Sequence, residues 1–435
     1  MIKDIIKKSI VYILELEAKY VIKKYNPKII AITGSVGKTS TKDAIYTILS
    51  PYFFVRKSEK SFNSEIGVPL TILGCQNGWN NPILWIRNIL HGLELILYKN
   101  NYPSCLILEV GADRPGDIKR ITKWLHPDVS VVTRIGTVPV HVEAFPSRAD
   151  LIEEKSYLVR ALKKDGILIL NTDDPDVLGM RALARQRLIT FGVTNPADIA
   201  ASNERVLYEE NDGIKRPIGF GFKVDFSGNS VPLQLKHVMG LQHLYPVLAA
   251  VAVGVSQDLN MVEITQAMND HVPPRGRMNV LRGIHNSTII DDTYNASPVA
   301  LGEALEAFKR METPGRKIAV LGDMLELGKF SAEEHKMAGR ITAGIANKLV
   351  AVGVRARLMK EGALEAKMHI SNIKLFDKST DAAEFVKGMV KKGDLLLIKG
   401  SQSIRMERVT AAVLEEPEKA AELLVRQEPE WLAKE

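Results

Sequence analysis

The first residues in this chain that could do chemistry are Thr33-Gly34-Ser35-Val36-Gly37-Lys38-Thr39-Ser40. Gly34 and Gly37 would let backbone N–H groups approach phosphate oxygens. Lys38 is spaced to reach the β- and γ-phosphates, and the Thr39 hydroxyl to bind Mg²⁺. The full phosphate-loop pattern carries a further glycine five residues before Gly37. Ile32 stands there, so this is a shortened variant. A glycine-rich turn with an incidental lysine is the competing reading. The setting argues against it: an apolar run, Ile29–Ile32, precedes the loop and a helical pattern, Thr39–Leu49, follows it. The spacing predicts a nucleoside triphosphate site and, alone, nothing more.

The elements that must position this loop follow from the pattern on either side. The chain has 435 residues, enough for two or three domains at about 150 residues each. Apolar strands are predicted at Cys105–Val110, Val129–Thr133 and Ile167–Asn171, each followed by a turn or helix. Strands alternating with helices imply a parallel sheet covered on both faces. Between residues 194 and 236 the chain turns rich in Gly, Asn and Pro, which predicts a small antiparallel β excursion. A helix is expected at Tyr245–Val255. Pro273-Pro274-Arg275-Gly276-Arg277 reads as a boundary, after which the β/α rhythm restarts with strands at Ser287–Asp291, Lys317–Leu321, Lys348–Val352 and Asp394–Ile398. The expected organisation is an N-terminal amphipathic helix (1–28), a central ATP-binding domain (29–278, with a helical insertion at 76–104) and a C-terminal domain (279–435). The fold class is α/β: a central P-loop-type parallel-sheet ATPase domain and a C-terminal Rossmann-like, doubly wound domain.

Composition excludes several alternatives. At 46% hydrophobic and 25% charged residues, the chain is neither disordered nor a rod. Its two cysteines, Cys75 and Cys105, cannot build a four-cysteine zinc site or a disulfide framework. The net charge of +7 is unevenly spread: seven lysines face three acids in residues 1–28, while seven acids face three bases in 411–435. No aromatic RNA-binding signature or zinc-finger spacing accompanies it, so no nucleic-acid partner is expected. Met1–Tyr25 mixes charges through its apolar residues and lacks a cleavage site, unlike a signal peptide.

The shortened loop and several further stretches resemble the Mur ligase family, the ATP-dependent amide-forming enzymes of peptidoglycan precursor synthesis. These stretches are Ser61–Leu70 (SFNSEIGVPL), Glu109-Val110-Gly111-Ala112, Asp291–Ala296 (DDTYNA), Leu321–Gly328 (LGDMLELG) and Lys399-Gly400-Ser401. They run in the family's order from Thr33 to about Val409, and are most similar to its D-alanyl-D-alanine-adding member. The resemblance implies ATP, bound by Gly34, Ser35, Gly37, Lys38, Thr39 and Ser40, with Arg277 at the phosphates, Asn295 at the adenine and Asp323 at the ribose or hinge. It implies two Mg²⁺ ions, one held by Thr39 and Glu109, the other by His141 and a carbamylated Lys155. Lys163 and Lys164 lie too far along to match that lysine. Asn63, Lys399, Ser401 and Arg405 would contact substrate. One departure is visible at Gly240–Pro246 (GLQHLYP). Pro246 stands where the family has an asparagine, which removes an expected adenine contact.

The function so implied is ATP-dependent, ADP-forming ligation of a muropeptide-type carboxylate to an amino acid or dipeptide amine through an acyl phosphate. The partners would be a small-molecule cell-wall precursor and that amine, the enzyme a cytoplasmic monomer. Ligation of a lipid-linked or otherwise UDP-free acceptor, and a non-catalytic ATP-binding module, stay open as alternatives. The phosphate loop begins at residue 34, so the family's N-terminal UDP-gripping domain is expected to be absent. Pro82–Tyr98 carries eleven apolar residues of seventeen. Together with Met1–Tyr25 it is expected to form a small replacement cap, in preference to a Lys-edged surface for a membrane or lipid-linked substrate.

Overall fold

A computed structural model describes residues 2–58, 62–79, 81–136, 145–211, 213–269 and 271–433. The chain separates into two compact units. One comprises Met1–Ser202, Val224–Val231 and Leu244–His271, the other Asn203–Lys223, Pro232–His243 and Val272–Glu435.

In the first unit the strands are β1 (Lys28–Thr33), β2 (Val55–Lys57), β3 (Cys105–Glu109), β4 (Val129–Val132), β5 (Ile167–Asn171) and β6 (Arg187–Gly192), in the spatial order β2-β3-β1-β4-β5-β6. Every pairing among them is parallel. The runs are apolar on both sides because both faces are covered: Ile29, Ala31, Leu106 and Leu108 join a core with Leu14, Ala18 and Val21 of the N-terminal helix. That helix, Ile2–Tyr25, stops where Asn26 turns to φ 46° ahead of Pro27, since proline cannot continue it. The sheet order continues through β7 (Ile199–Asn211), β8 (Ile214–Phe226) and β9 (Asn229–Lys236), the segment expected to form a β excursion. Much of this segment groups with the second unit, where Val206 packs on its core and the Tyr208 hydroxyl accepts the Glu312 N–H at 2.9 Å.

The helical insertion spans Pro82–Leu97. Its first turn is fixed by Asn81, whose side chain accepts the Ile83 and Leu84 N–H groups, with Pro82 at the first helical position. It packs on the N-terminal helix, with Gly92 against the Glu17 side chain. Lys24 donates to the carbonyls of Leu95, Ile96 and Tyr98, placing a cation on the otherwise unsatisfied end of the helix.

The second unit contains β10 (Asn279–Gly283), β11 (Ser287–Asp292), β12 (Lys317–Gly322), β13 (Lys348–Val352), β14 (Ile373–Phe376) and β15 (Leu395–Lys399), in the order β10-β11-β15-β12-β13-β14. Only β10 is antiparallel. Alternate residues feed opposite cores. Ile290, Ala319, Leu321, Leu349, Leu395 and Leu397 face one, and Ile289, Ile318, Val320, Val350, Leu396 and Ile398 the other. This two-sided burial is the signature of a doubly wound sheet.

Candidate active site

The phosphate loop leaves the carboxyl end of β1, in the middle of the first sheet. Gly34 adopts φ 142° and Gly37 φ 88°, backbone that side-chain-bearing residues rarely take. At Gly34 a Cβ would also lie 2.0 Å from the Thr133 hydroxyl. The loop is pinned from β4: Ser35 and Val36 N–H donate to the Arg134 carbonyl at 2.6 and 3.2 Å, and the Thr133 hydroxyl to the Val36 carbonyl at 2.7 Å. Helix Lys38–Leu49 then begins at Gly37 with no side-chain cap, so its first N–H groups are available to an anion.

Two ammonium groups converge on one carbonyl. Lys38 Nζ donates to the Gly34 oxygen at 2.9 Å and Lys155 Nζ to the same oxygen at 3.1 Å. Lys155 projects from helix Arg148–Arg160 and is buried. Burial first, and the Lys38 charge second, push its pKa down to about 7, so near neutral pH much of it is a free amine. The neighbouring Glu154 has a separate task, accepting the N–H groups of Gly116, Ile118 and Lys119.

Thr39 donates its hydroxyl to Glu109 Oε1 at 3.0 Å. Hydroxyl and carboxylate oxygens at the mouth of a phosphate loop are the hard donors that Mg²⁺ prefers, so this pair fits the first metal position. Glu109 is buried and is balanced by Lys42, whose Nζ lies 3.7 Å from Oε2 and donates to the Ser58 carbonyl at 2.8 Å. Burial depresses the Lys42 pKa and the Glu109 carboxylate opposes that shift. The pattern of the sequence does not reveal Lys42, because a lysine on a helix normally reads as exposed. The same holds for Asp174, whose carboxylate accepts the Ile135 and Gly136 N–H groups at 2.7 and 3.1 Å. It thereby fixes the chain leading into residues 137–144. His141 lies in that segment, outside the described residues. Among the described residues no cluster of three His, Cys, Asp or Glu suited to a metal occurs. Asn63 lies against Gly111, whose N–H donates to the Asn63 carbonyl at 2.8 Å. Ser40 is buried in the first turn of the helix. At the departure from the family pattern, Tyr245 carries the Arg134 guanidinium 4.8 Å above its ring.

In the second unit the expected residues gather at the carboxyl ends of β11, β15 and β12, the usual ligand-binding edge of an open α/β sheet. Lys399 donates to Asp292 at 2.6 Å and to the Asn295 carbonyl at 3.0 Å. Ser401 accepts the Leu325 N–H at 2.9 Å, and Asp323 accepts the Ala356 N–H at 2.6 Å. Lys399, Ser401 and Asp323 are all buried, so each shapes a loop from inside. Arg277 stacks on Tyr294 at 4.2 Å. Its buried Nε has no hydrogen-bond partner among the described residues. His243 is buried and holds the Arg277 carbonyl at 2.9 Å. Burial lowers its pKa to about 4, which keeps the ring neutral. Arg405 is buried, with Nε donating to Glu407 at 2.5 Å and Nη1 to the Trp431 carbonyl at 2.7 Å; the same Glu407 carboxylate also accepts from Arg426 at 2.8 Å.

Residues 87–254 match the Mur ligase middle domain and residues 276–402 the Mur ligase glutamate ligase domain. A UDP-N-acetylmuramoyl-tripeptide–D-alanyl-D-alanine ligase of Mycobacterium leprae is 31% identical over 396 residues, covering 86% of this chain and 71% of its own length. The chain belongs to the Mur ligase family. A ligase of the same name from Bacillus subtilis is 27% identical over 405 residues, 93% of this chain and 79% of that one. The MurF ligase of Thermotoga maritima, solved in complex with ADP, superposes with a TM-score of 0.73 at 27% identity, over 95% of this chain and 84% of that one. As a Mur ligase the protein is an ATP-dependent, amide-forming enzyme with the family's α/β fold. No helix among the described residues is long and apolar enough to cross a membrane.

Proposed function

We propose that this Mur ligase joins the terminal carboxylate of a muramoyl-tripeptide to the amine of a dipeptide such as D-alanyl-D-alanine, in the cytoplasm where ATP is held. The observation that carries the reading is the convergence of Lys38 and Lys155 on the Gly34 carbonyl, beside the Thr39–Glu109 pair. A carboxylate oxygen attacks the γ-phosphorus of ATP, the bond to the β-bridging oxygen breaks, and ADP leaves. The amine then attacks the acyl carbon, the C–O bond to phosphate breaks, and the nitrogen loses a proton. Lys38 neutralises charge on the transferring phosphoryl group, and the helix N-terminus behind Gly37 adds its N–H groups. Bound Mg²⁺ supplies further charge neutralisation, with Thr39 and Glu109 as the residues that would hold the first ion.

Lys155 has the chemistry to be carbamylated. Its unprotonated amine, populated near neutral pH because the site is buried, forms an N–C bond to CO₂ and releases one proton, which converts a neutral amine into a carboxylate-like anionic ligand. With His141 it would hold a second ion. Arg277 and Asn295 are the proposed nucleotide contacts of the second unit, and Asn63, Lys399 and Ser401 shape the substrate sites.

Phosphate release measured over a panel of muramoyl peptides, with and without UDP, and a panel of amines tests the substrate assignment. Release should require both the tripeptide carboxylate and the dipeptide. Equal turnover with unrelated acceptors would refute it. ¹³C NMR of the enzyme in labelled bicarbonate should show a carbamate resonance that Lys155→Ala lacks, and an unchanged spectrum in that variant would remove the Lys155 assignment.

A further inference from the structure

Helix Pro82–Leu97 turns Asn88, Gly92 and Leu95 inward. Directly opposite, Ile83, Ile86, Leu90, Leu93 and Leu97 face solvent, with exposures between 42% and 75%. At 100° per residue these five fall within an arc of about 80°, a continuous aliphatic stripe the length of the helix. Trp79, 80% exposed, precedes the stripe, and Tyr98, 64% exposed, follows it. The adjoining N-terminal helix adds exposed Tyr12, Leu16 and Tyr20. Isolated apolar residues on a surface are ordinary, but a contiguous patch of this kind marks an interaction site.

Charge and side-chain type select the occupant. Over the described side chains, the same two helices and their ends carry Lys19, Lys23, Lys24, Arg87 and Lys99; Lys19 pairs with Glu15 and Lys24 is held by the carbonyls at the end of the insertion helix, and the acids besides Glu15 are the buried Glu17 and Glu94, which lies 3.5 Å from His91. Pairing with a second copy would set these cations against their own kind. An anionic surface would attract them. Four of the exposed side chains are Trp or Tyr, with an apolar body and a polar tip, the types enriched where acyl chains meet headgroups. The helix is too short and too charged at Arg87 and Glu94 to span a bilayer. We propose that the paired helices Ile2–Tyr25 and Pro82–Leu97 form a docking surface for an anionic lipid bilayer. The second helix lies in the membrane plane with its aliphatic stripe at the acyl boundary.

The test uses the whole enzyme and phosphatidylcholine vesicles with and without phosphatidylglycerol. Wild type should sediment with the anionic vesicles and partition about tenfold or more less strongly onto neutral ones or in high salt. The double variant Ile86→Glu/Leu90→Glu changes two solvent-facing side chains. It should keep ATP-dependent phosphate release, showing that it folds, and lose at least about a hundredfold in vesicle partitioning. Absence of wild-type binding to anionic vesicles would overturn the proposal, as would equal binding by the double variant. A lipid-free dimer at micromolar concentration that the double variant dissolves would also overturn it, by showing that a second copy covers the stripe.

Discussion

Glu17 sits on the buried side of the N-terminal helix, 4% exposed, and neither carboxylate oxygen has a hydrogen-bond partner among the described residues. It is packed so closely over the insertion helix that a Cβ on Gly92 would lie 2.1 Å from Glu17 Oε2. Burial raises its pKa from 4.5 to about 7, so the folded chain holds the proton more tightly than the unfolded one. The stability tied to that proton is fully present below pH 4.5, declines as pH rises to about 7, and is constant above. For these two pKa values linkage gives a loss of about 2–3 kcal/mol between pH 5 and pH 8. Glu17→Gln removes the titration while keeping the shape. The stability of the variant minus that of wild type should therefore rise by about 2–3 kcal/mol over that interval, whatever constant cost the buried amide adds. In a unit of this size that corresponds to a relative Tm shift of about 5–10 °C. Three of the four tryptophans, Trp79, Trp85 and Trp124, lie in the first unit, so melts followed by fluorescence report mainly on it. A difference that stays within about 0.5 kcal/mol from pH 5 to pH 8 would refute the burial argument.

Lys38→Ala should lower kcat for phosphate release by about 10²–10³, the effect of losing one charge-stabilising donor at a transferring group; a rate within tenfold of wild type contradicts the phosphate-loop assignment. Lys42→Met removes the cation beside the buried Glu109 carboxylate and should cost about 3–5 kcal/mol in denaturant unfolding, while Mg²⁺ with ADP restores part of that loss; unchanged stability would show that the pair carries no weight. Gly34→Ala drives a Cβ into the Thr133 hydroxyl at a backbone angle that favours glycine, so it should weaken ADP binding in calorimetry, and unaltered affinity would mean that the loop has room to shift.

Much of this enzyme follows from local order in the chain. The alternation of apolar runs with helical periods determines two parallel α/β sheets, because a strand buried on both faces must be apolar throughout. Gly34, Gly37, Lys38 and Thr39 are adjacent in sequence, so their phosphate chemistry is legible there. The edge strand β14 was less so: only Ile373 of its four residues is fully buried, which leaves no long apolar run to see. Tertiary structure alone decided the rest. Lys155 comes 117 residues after Lys38, yet both reach one carbonyl, and it is burial beside a second ammonium that lowers the Lys155 pKa. Lys42 and Glu109 meet only because β3 lies beside β1. Arg405 has the residue type of a substrate contact, but its burial, with Nε on Glu407 and Nη1 on the Trp431 carbonyl, comes only from the folded unit. Residue types and spacing determine which groups can do chemistry; which of them are desolvated, paired or aimed at one another depends on strand order and packing, which no local pattern encodes.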